Sequence, residues 1–296
     1  MDRASAEDRQ LTLPKLGIGV FSNADRPICF RPTAAGIDQQ GGATVLRDIM
    51  EGVTRDWVIR RRLSADFSSV PIHVTPSAGL RYLFRSMDSV DSVLLELVRE
   101  FVTPGAVVWD IGANVGLFSF AAASRAGPAG LVVALEPDAW LVQLLRRSAV
   151  DQPSGSAPVQ VVPAAVASEL SIRTLCLANR SRAANYLAEF GTTQTGGSRE
   201  EHSVIAVTLD WLLESLPAPS VVKIDVEGAE LEVLAGAQRL FETIRPFVLC
   251  EVIPWSAPAV TEFLESHGYQ IFDGEIPRSR RQPVLVAPWS TVAIPM

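Results

Sequence analysis

The sequence predicts an α/β fold with a mostly parallel central sheet. From residue 106 onward, short apolar runs alternate with stretches of helical spacing, and the runs contain few polar residues. Strands of that composition are buried on both faces, which is typical of parallel sheets covered by helices. A chain of 296 residues, 48% of them hydrophobic, is long enough to enclose such a sheet without disulfide bonds.

The predicted elements follow one another in the order that a sheet covered on both faces requires. Strands are predicted at residues 106–111, 131–135, 159–166, 221–226, 247–252, 269–272 and 291–294. Helices are predicted at residues 90–98, 115–126, 138–150, 229–244 and 257–267. Gly127-Pro128 supplies the stop signal for the second of these helices.

Residues 1–85 are predicted to form an N-terminal extension to a main domain of residues 86–296. Its expected elements are a helix over 46–63 and extended segments at 70–74 and 80–84. The basic run Arg60-Arg61-Arg62 is interpreted as a solvated face of that helix. The extension is a candidate substrate cap or dimer arm, so a homodimer is an open alternative.

Residues 171–209 are predicted to be an insertion within the main domain. Extra strands at 172–177 and 204–209 flank residues 179–203, which are rich in Gly, Ser and Thr. So long an irregular stretch predicts either a mobile lid or a disordered segment, and the sequence does not decide between them.

Composition argues against several classes of partner. The net charge of −7 disfavours nucleic acid, because binding its backbone needs a basic surface. No apolar run approaches the ~20 residues that span a bilayer, and the first residues lack the apolar segment of a secretory signal. We therefore expect a cytoplasmic protein with a small-molecule substrate and no nucleic-acid or membrane partner.

The first chemical motif, DIGANVG at residues 110–116, lies where a predicted strand ends and a helix begins. Glycines there let a ligand approach the backbone, and the helix N-terminus offers free N–H groups to an anion. Asp110 would repel a pyrophosphate but attract an ammonium or sulfonium cation. S-adenosylmethionine (SAM), whose amino-acid end carries a carboxylate and an ammonium, therefore fits this loop.

Glu136 ends the second strand of the predicted main domain, and Pro137 and Asp138 follow it. A carboxylate at that point can accept hydrogen bonds from both ribose hydroxyls of an adenosine. Asp138 is interpreted as the N-cap of the next helix. The loop and the strand-end acid together are stronger evidence for SAM than either motif is alone.

The third motif, KIDVEGAE at residues 223–230, contains one of the only two lysines among 26 basic residues. Side chains alternate along a strand, so Lys223 and Asp225 share one orientation and Glu227 continues it at the carboxyl end. Ligands of open parallel sheets bind at those ends. A catalytic set is one interpretation, and an ion pair that plugs the end of the strand is the other.

These motifs resemble the FkbM family of SAM-dependent methyltransferases. The matching stretches, between residues 107 and 252, are WDIGANVGLFSFAAA, ALEPD, VTLDWL, VVKIDVEGAELEVLAGAQRL and RPFVLCEV. The resemblance implies a Rossmann-like class I methyltransferase fold, in which a seven-stranded sheet has an antiparallel last strand. It also implies methyl transfer to a hydroxyl of a sugar or of a macrolide- or polyketide-like natural product, with S-adenosylhomocysteine as product.

The resemblance also assigns residues to the cofactor and to the reaction. It places Asp110, Gly112, Asn114 and Gly116 at the methionine end of SAM, Glu136 and Pro137 at the ribose, and Ala165 near the adenine. It places Lys223, Asp225 and Glu227 beside the methyl group and the acceptor.

An alcohol acceptor must lose a proton, so the reaction needs a base. The candidates are Asp225, Glu227, Glu251 and His202. A lysine beside Asp225 makes that carboxylate a poor base, so we expect Asp225 to orient and Glu227 or His202 to accept the proton. For His202, an exposed surface position is favoured over a catalytic role. A Mg²⁺ ion held by Asp225, Glu227 and Glu251 is a less favoured alternative.

Two other functions stay open on the sequence alone. One is a nucleotide-dependent oxidoreductase on a similar sheet, although the chain lacks G-x-G-x-x-G after its first strand. The other is a non-catalytic scaffold with the same fold, against which the intact set of Lys223, Asp225 and Glu227 argues.

Overall fold

The computed structural model describes residues 57–179, 181–190 and 197–296. The strands are β1 (Ile59–Arg62), β2 (Pro71–Val74), β3 (Val107–Ile111), β4 (Leu131–Leu135), β5 (Val159–Val162), β6 (Ala165–Val166), β7 (Ser171–Ala178), β8 (Tyr186–Leu187), β9 (Ser198–Val207), β10 (Val221–Ile224), β11 (Phe247–Glu251), β12 (Tyr269–Asp273) and β13 (Ser290–Pro295). The α-helices are α1 (Arg81–Phe84), α2 (Ser92–Phe101), α3 (Leu117–Ala126), α4 (Ala139–Val150), α5 (Leu209–Leu212), α6 (Glu230–Ala235) and α7 (Ala257–Ser266).

A seven-stranded sheet forms the centre of the structure, with the strand order β12-β13-β11-β10-β3-β4-β5. The pairs among β11, β10, β3, β4 and β5 are parallel. The last strand, β13, is antiparallel to both of its neighbours, β11 and β12. The predicted α/β class and the antiparallel last strand are therefore confirmed.

Each face of this sheet has its own hydrophobic core. On one face, Phe118 of α3 and Leu144 of α4 pack in the same cluster as Val108 of β3. On the other face, Val260 of α7 lies in the cluster that contains Trp109. Because neighbouring side chains of β3 point to opposite faces, a continuous apolar strand serves both cores.

Described residues from the predicted N-terminal extension share the first of these cores. Phe67 and Ile72 are fully buried in the cluster that contains Leu144. Strand β2 packs against α4, and the backbone N–H of His73 donates to Ser148 Oγ at 2.8 Å. The domain boundary at residue 85 stays a prediction, but residues on both sides of it stabilise one core.

The structure corrects two predictions within the extension. Residues 59–62 form strand β1 and not a helix, while residues 46–56 of the expected helix lie outside the described residues. Residues 81–84 form the short helix α1 and not an extended segment. Strand β1 forms by antiparallel pairing with β2, and the guanidinium of Arg61 donates to the carbonyls of Tyr82, Leu83 and Arg85 at the end of the helix.

Two long elements of the main domain are interrupted. The strand predicted over 159–166 divides at Pro163 into β5 and β6, which belong to different sheets. Proline has no N–H to donate, so it cannot continue the ladder. The helix predicted over 229–244 ends at Gly236 and continues as a π-helical turn, Leu240–Ile244. A Cβ at Gly236 would lie 2.3 Å from the carbonyl oxygen of Ala167, so the chain needs glycine there.

Strands of the insertion form a second sheet together with β6, in the order β6-β9-β7-β8. Strands β7 and β9 pair antiparallel over nearly their whole length. The described part of residues 179–203 contains β8 and the first half of β9, so the expectation of one long irregular stretch is wrong there. Residues 180 and 191–196 lie outside the described residues.

We predict that Ile72→Ala lowers the free energy of unfolding by about 2–5 kcal/mol, because it opens a cavity in the shared core. The matched control is Ile172→Ala, since Ile172 is 69% exposed on the insertion. That control should change the free energy of unfolding by less than about 0.5 kcal/mol. Urea denaturation of both variants measures the difference, and equal effects would contradict the placement of β2 in the core.

Candidate functional site

Two neighbouring cavities lie at the carboxyl edge of the central sheet, and Asp225 in the lining of one is 3.2 Å from Lys223 in the lining of the other. The first, which we call the main cleft, encloses about 630 Å³ including its open mouth and lies over the ends of β3, β4 and β10. Its lining includes Gly112, Asn114, Glu136, Pro137, Ala165, Asp225 and Glu227. The second, which we call the adjacent cavity, has about 570 Å³ and lies between α2 and the ends of β10 and β11. Most of the predicted site residues are therefore brought together.

The loop after β3 depends on two glycines with different roles. Gly112 has a φ of 76°, and a Cβ there would lie 1.9 Å from the carbonyl oxygen of Asp225. Gly116 has a φ of 90° and precedes α3, where a Cβ would lie 2.4 Å from the ring of Phe120. Gly112, which lines the cleft, allows the loop to approach the end of β10 closely. Gly116 allows the following helix to pack closely.

Asn114 presents an unpaired acceptor in the main cleft. Its backbone has a φ of 53°, an unfavourable conformation that asparagine tolerates better than most residues. Its N–H donates to Glu136 Oε2 at 2.8 Å, which fixes the loop. Its Oδ1 is buried and has no hydrogen-bond partner among the described residues. A ligand that offers a donor would satisfy this oxygen.

Glu136 is a buried carboxyl group that two backbone groups hold in place. Oε2 accepts from the N–H of Asn114 and Oε1 from the N–H of Asp138, at 2.8 and 2.9 Å. Burial raises the pKa of Glu136 to about 7. Each carboxylate oxygen can accept a second hydrogen bond, so Glu136 can still accept from two hydroxyl groups of a ligand.

Lys223 is the centre of a buried ion cluster beneath the loop. Its Nζ lies 3.3 Å from Asp110 Oδ1 and 3.2 Å from Asp225 Oδ2, and it donates to the carbonyl of Gly112 at 2.9 Å. Burial alone would lower the pKa of Lys223, but the carboxylates of Asp110 and Asp225 outweigh that effect and hold it above its usual value. The lysine is therefore a fixed cation that joins β3 to β10.

Asp110 lies beneath the main cleft and not in its lining. Its side chain is fully buried, pairs with Lys223, and accepts from Ser119 Oγ at 2.5 Å. Asp110 and Lys223 are directly opposite each other on neighbouring parallel strands. In this structure Asp110 positions the loop through Lys223.

Two more carboxyl groups line these cavities. Glu227 lines the main cleft with a φ of 51°, and burial together with the charge of Asp225 raises its pKa to about 7. Glu251 ends β11 and lines the adjacent cavity, where burial and Asp225 raise its pKa to about 8. Both groups can exchange a proton near neutral pH.

His202 lies away from both cavities. It is on β9 with 46% of its side chain exposed, 3.3 Å from Glu200 Oε2. Neither cavity has His202 in its lining.

Sequence reasoning missed several residues that line the cavities. The insertion contributes Arg182, Asn185 and Tyr186 to the main cleft. The adjacent cavity gains Asp91, Glu275 and Trp289 from three separate segments. No local pattern marks these positions, because strand pairing and loop packing between distant segments bring them to the site.

Within residues 57–179, 181–190 and 197–296, no group of three or more His, Cys, Asp or Glu residues is placed to hold a metal ion. Over the same ranges, no helix has the length and apolar character needed to cross a bilayer.

We predict that Lys223→Met lowers the free energy of unfolding by about 3–5 kcal/mol, because it leaves Asp110 buried without its cation. The double variant Lys223→Met/Asp110→Asn should recover part of that loss, since the uncompensated charge is gone. As a control, Glu169→Gln removes an exposed partner of Arg173 and should cost less than about 1 kcal/mol. Chemical denaturation tests the set, and a wild-type stability for Lys223→Met would contradict the structural role of the cluster.

The chain was compared with known proteins. Residues 110–271 match the family described as the methyltransferase FkbM domain. The hexuronic acid methyltransferase AglP of Haloferax volcanii is 29% identical over 209 residues, which cover 67% of this chain and 80% of the relative.

Two solved structures are also similar. A methyltransferase FkbM from Methylobacillus flagellatus KT is 16% identical and covers 85% of this chain and 60% of that chain, with a TM-score of 0.40. A precorrin-6y C5,15-methyltransferase from Geobacter metallireducens GS-15 is 18% identical and covers 69% and 86%, with a TM-score of 0.39. The strand order and register of the central sheet define the fold. The family match spans more than half of the chain, and the protein therefore belongs to the FkbM family of SAM-dependent class I methyltransferases.

Proposed function

We propose that this protein transfers a methyl group from SAM to a hydroxyl oxygen of a sugar or of a small hydroxylated natural product. The observation that carries the proposal is an ion pair between one lining residue of each cavity. Asp225 lines the main cleft, Lys223 lines the adjacent cavity, and their side chains are 3.2 Å apart. A donor and an acceptor bound in these two cavities would meet at the carboxyl edge of the sheet, where such ligands bind.

The main cleft fits SAM in three respects. The unpaired Oδ1 of Asn114 can accept from the ammonium group, and Glu136 can accept from the ribose hydroxyls. The carboxyl groups of Asp225 and Glu227 place negative charge beside a cationic ligand. When bound, SAM supplies the methyl group on a positively charged sulfur.

The adjacent cavity is the proposed acceptor site. Apolar side chains form much of its wall, among them Leu94, Leu97 and Trp289. Ser290 and Thr291 add polar groups to the same lining. Such a mixed wall suits an acceptor that combines an apolar face with hydroxyl groups. The relationship to a hexuronic acid methyltransferase supports a sugar as one class of acceptor.

We propose Asp225 as the group that orients the acceptor hydroxyl and Glu251 as the base. Asp225 is held by Lys223, which fixes its direction. Glu251 lines the acceptor cavity, and its raised pKa, about 8, matches the requirement of a base that works near neutral pH. The proton of the hydroxyl passes to the Glu251 carboxylate. This assignment replaces the earlier expectation for Glu227 or His202, because Glu251 alone of the three lines the acceptor cavity.

We predict that S-adenosylhomocysteine binds the protein with micromolar affinity in a calorimetric titration, while NAD does not bind. Asn114→Gly should weaken the interaction about tenfold, since it removes the amide acceptor and keeps a residue that tolerates positive φ. Comparable binding of NAD would favour an oxidoreductase. Failure of the folded wild-type protein to bind S-adenosylhomocysteine would favour a scaffold.

We predict that kcat/KM for methylation rises with pH and levels off above about pH 8, because Glu251 must lose its proton to act as the base. Glu251→Gln should lower kcat at least a hundredfold and remove this rise. Glu227→Gln is the comparison, since Glu227 also has a raised pKa but lines the other cavity. The assay measures the S-adenosylhomocysteine that forms when the enzyme is incubated with SAM and each acceptor in a panel of glycosides and macrolactone alcohols. An unchanged pH profile in Glu251→Gln would contradict its role as base.

A further inference from the structure

The insertion closes one side of the main cleft with a short turn before β8. Arg182 and Asn185 of this turn contribute to the lining, together with Tyr186 of β8. Ser181, at the start of the turn, donates from its Oγ to the carbonyl oxygen of Ser77 at 3.2 Å. The turn is thus held from both sides, by its own sheet and by the segment that follows β2.

Asp138 fastens this turn to the end of β4. Its Oδ2 accepts from Arg182 Nη1 and from Asn185 Nδ2, the latter at 2.9 Å. Its Oδ1 accepts from the N–H of Trp140 and so caps α4, as the sequence predicted. Because its own N–H donates to Glu136, Asp138 places the turn directly beside the proposed ribose-binding carboxyl group.

Arg182 has a donor that nothing described here uses. Only 12% of its side chain is exposed, and its Nε is buried without a hydrogen-bond partner among the described residues. Its ion pair with Asp138 involves Nη1 alone. A buried N–H of a permanently charged guanidinium is unfavourable unless it gains an acceptor, so this atom points to a ligand.

The contacts of Glu136 indicate which part of a bound SAM would lie near Arg182. Its Oε2 faces Asn114, whose loop we assign to the amino-acid end of SAM, and its Oε1 faces Asp138. Arg182 lies on the Asp138 side. The guanidinium is therefore on the side of the ribose that is away from the amino-acid group.

We propose that Arg182 recognises the adenosine part of the cofactor, by donating a hydrogen bond from Nε to an acceptor atom of the nucleoside. This inference rests on the proposed use of the main cleft for SAM. It makes the insertion a part of the cofactor site. The ion pair with Asp138 holds the guanidinium in position, and Nε makes the contact.

Binding of two ligands tests this assignment. S-adenosylhomocysteine and 5′-deoxy-5′-methylthioadenosine share the adenosine, but only the first carries the amino-acid group. Calorimetry with Arg182→Met and Arg182→Lys should show about tenfold weaker binding of both ligands, the size expected for one hydrogen bond from a charged donor. Asn114→Gly should weaken S-adenosylhomocysteine alone, since Asn114 faces the other end.

Arg182→Lys distinguishes a direct contact with the nucleoside from a purely structural role of the Arg182–Asp138 ion pair. Lysine keeps a positive charge that can pair with Asp138, but it has no Nε–H at the same place. Arg173→Met is the matched control, because Arg173 is an arginine of the same insertion that pairs with the carboxylates of Glu169 and Glu189 and lies outside the main cleft. Thermal unfolding of each variant, measured without ligand, reports whether the insertion still folds.

Three outcomes would overturn the inference. Wild-type affinity of Arg182→Lys for both ligands would show that the ion pair with Asp138 is sufficient and that Nε makes no contact with the ligand. Loss confined to S-adenosylhomocysteine would place Arg182 at the amino-acid end. An equal loss in Arg173→Met would mean that the insertion acts as a whole. If the folded wild-type protein bound neither ligand, the proposed function itself would fail, which is a separate result from wild-type binding with unaffected variants.

Discussion

The buried cluster around Lys223 is the interaction on which the rest of the site depends. One ammonium group contacts the carbonyl of Gly112 and the carboxylates of Asp110 and Asp225. Through these contacts it fixes the loop after β3 and the end of β10 relative to each other. The loop and the strand end, which line the proposed cofactor site, are therefore held by the same lysine.

The site as a whole is short of positive charge. Near Lys223, the two cavities contain carboxyl groups from Glu136, Glu227 and Glu251, and burial raises the pKa of each. Such an arrangement is unfavourable by itself, because burial raises the pKa of each carboxyl group by more than the nearby charge of Lys223 lowers it. A cationic cofactor offsets part of this cost. The positive φ at Asn114 and Glu227 is a further local cost, which is common at binding sites.

Hydrogen bonds connect the insertion and the N-terminal segment to the edge of the main cleft. The ion pair between Arg182 and Asp138 joins the insertion to the strand end that carries Glu136. Ser181 in turn reaches the carbonyl of Ser77, in the segment that packs on α4. Substrate specificity in such an arrangement can change through these peripheral segments while the central sheet stays the same.

The sequence by itself determined the central sheet, the loop at residues 110–116 and the acids at strand ends. These features depend on local signals: continuous apolar runs, glycines at turns, and an N-cap such as Asp138. Tertiary structure alone decided the strand at residues 59–62, the pairing of β6 with β9, and the position of Arg182 in the cleft lining. Each of these depends on a partner elsewhere in the chain, such as Asp138 for Arg182. Hydrogen bonds and charge pairs between distant residues leave no periodic pattern, because only the folded chain brings their partners together.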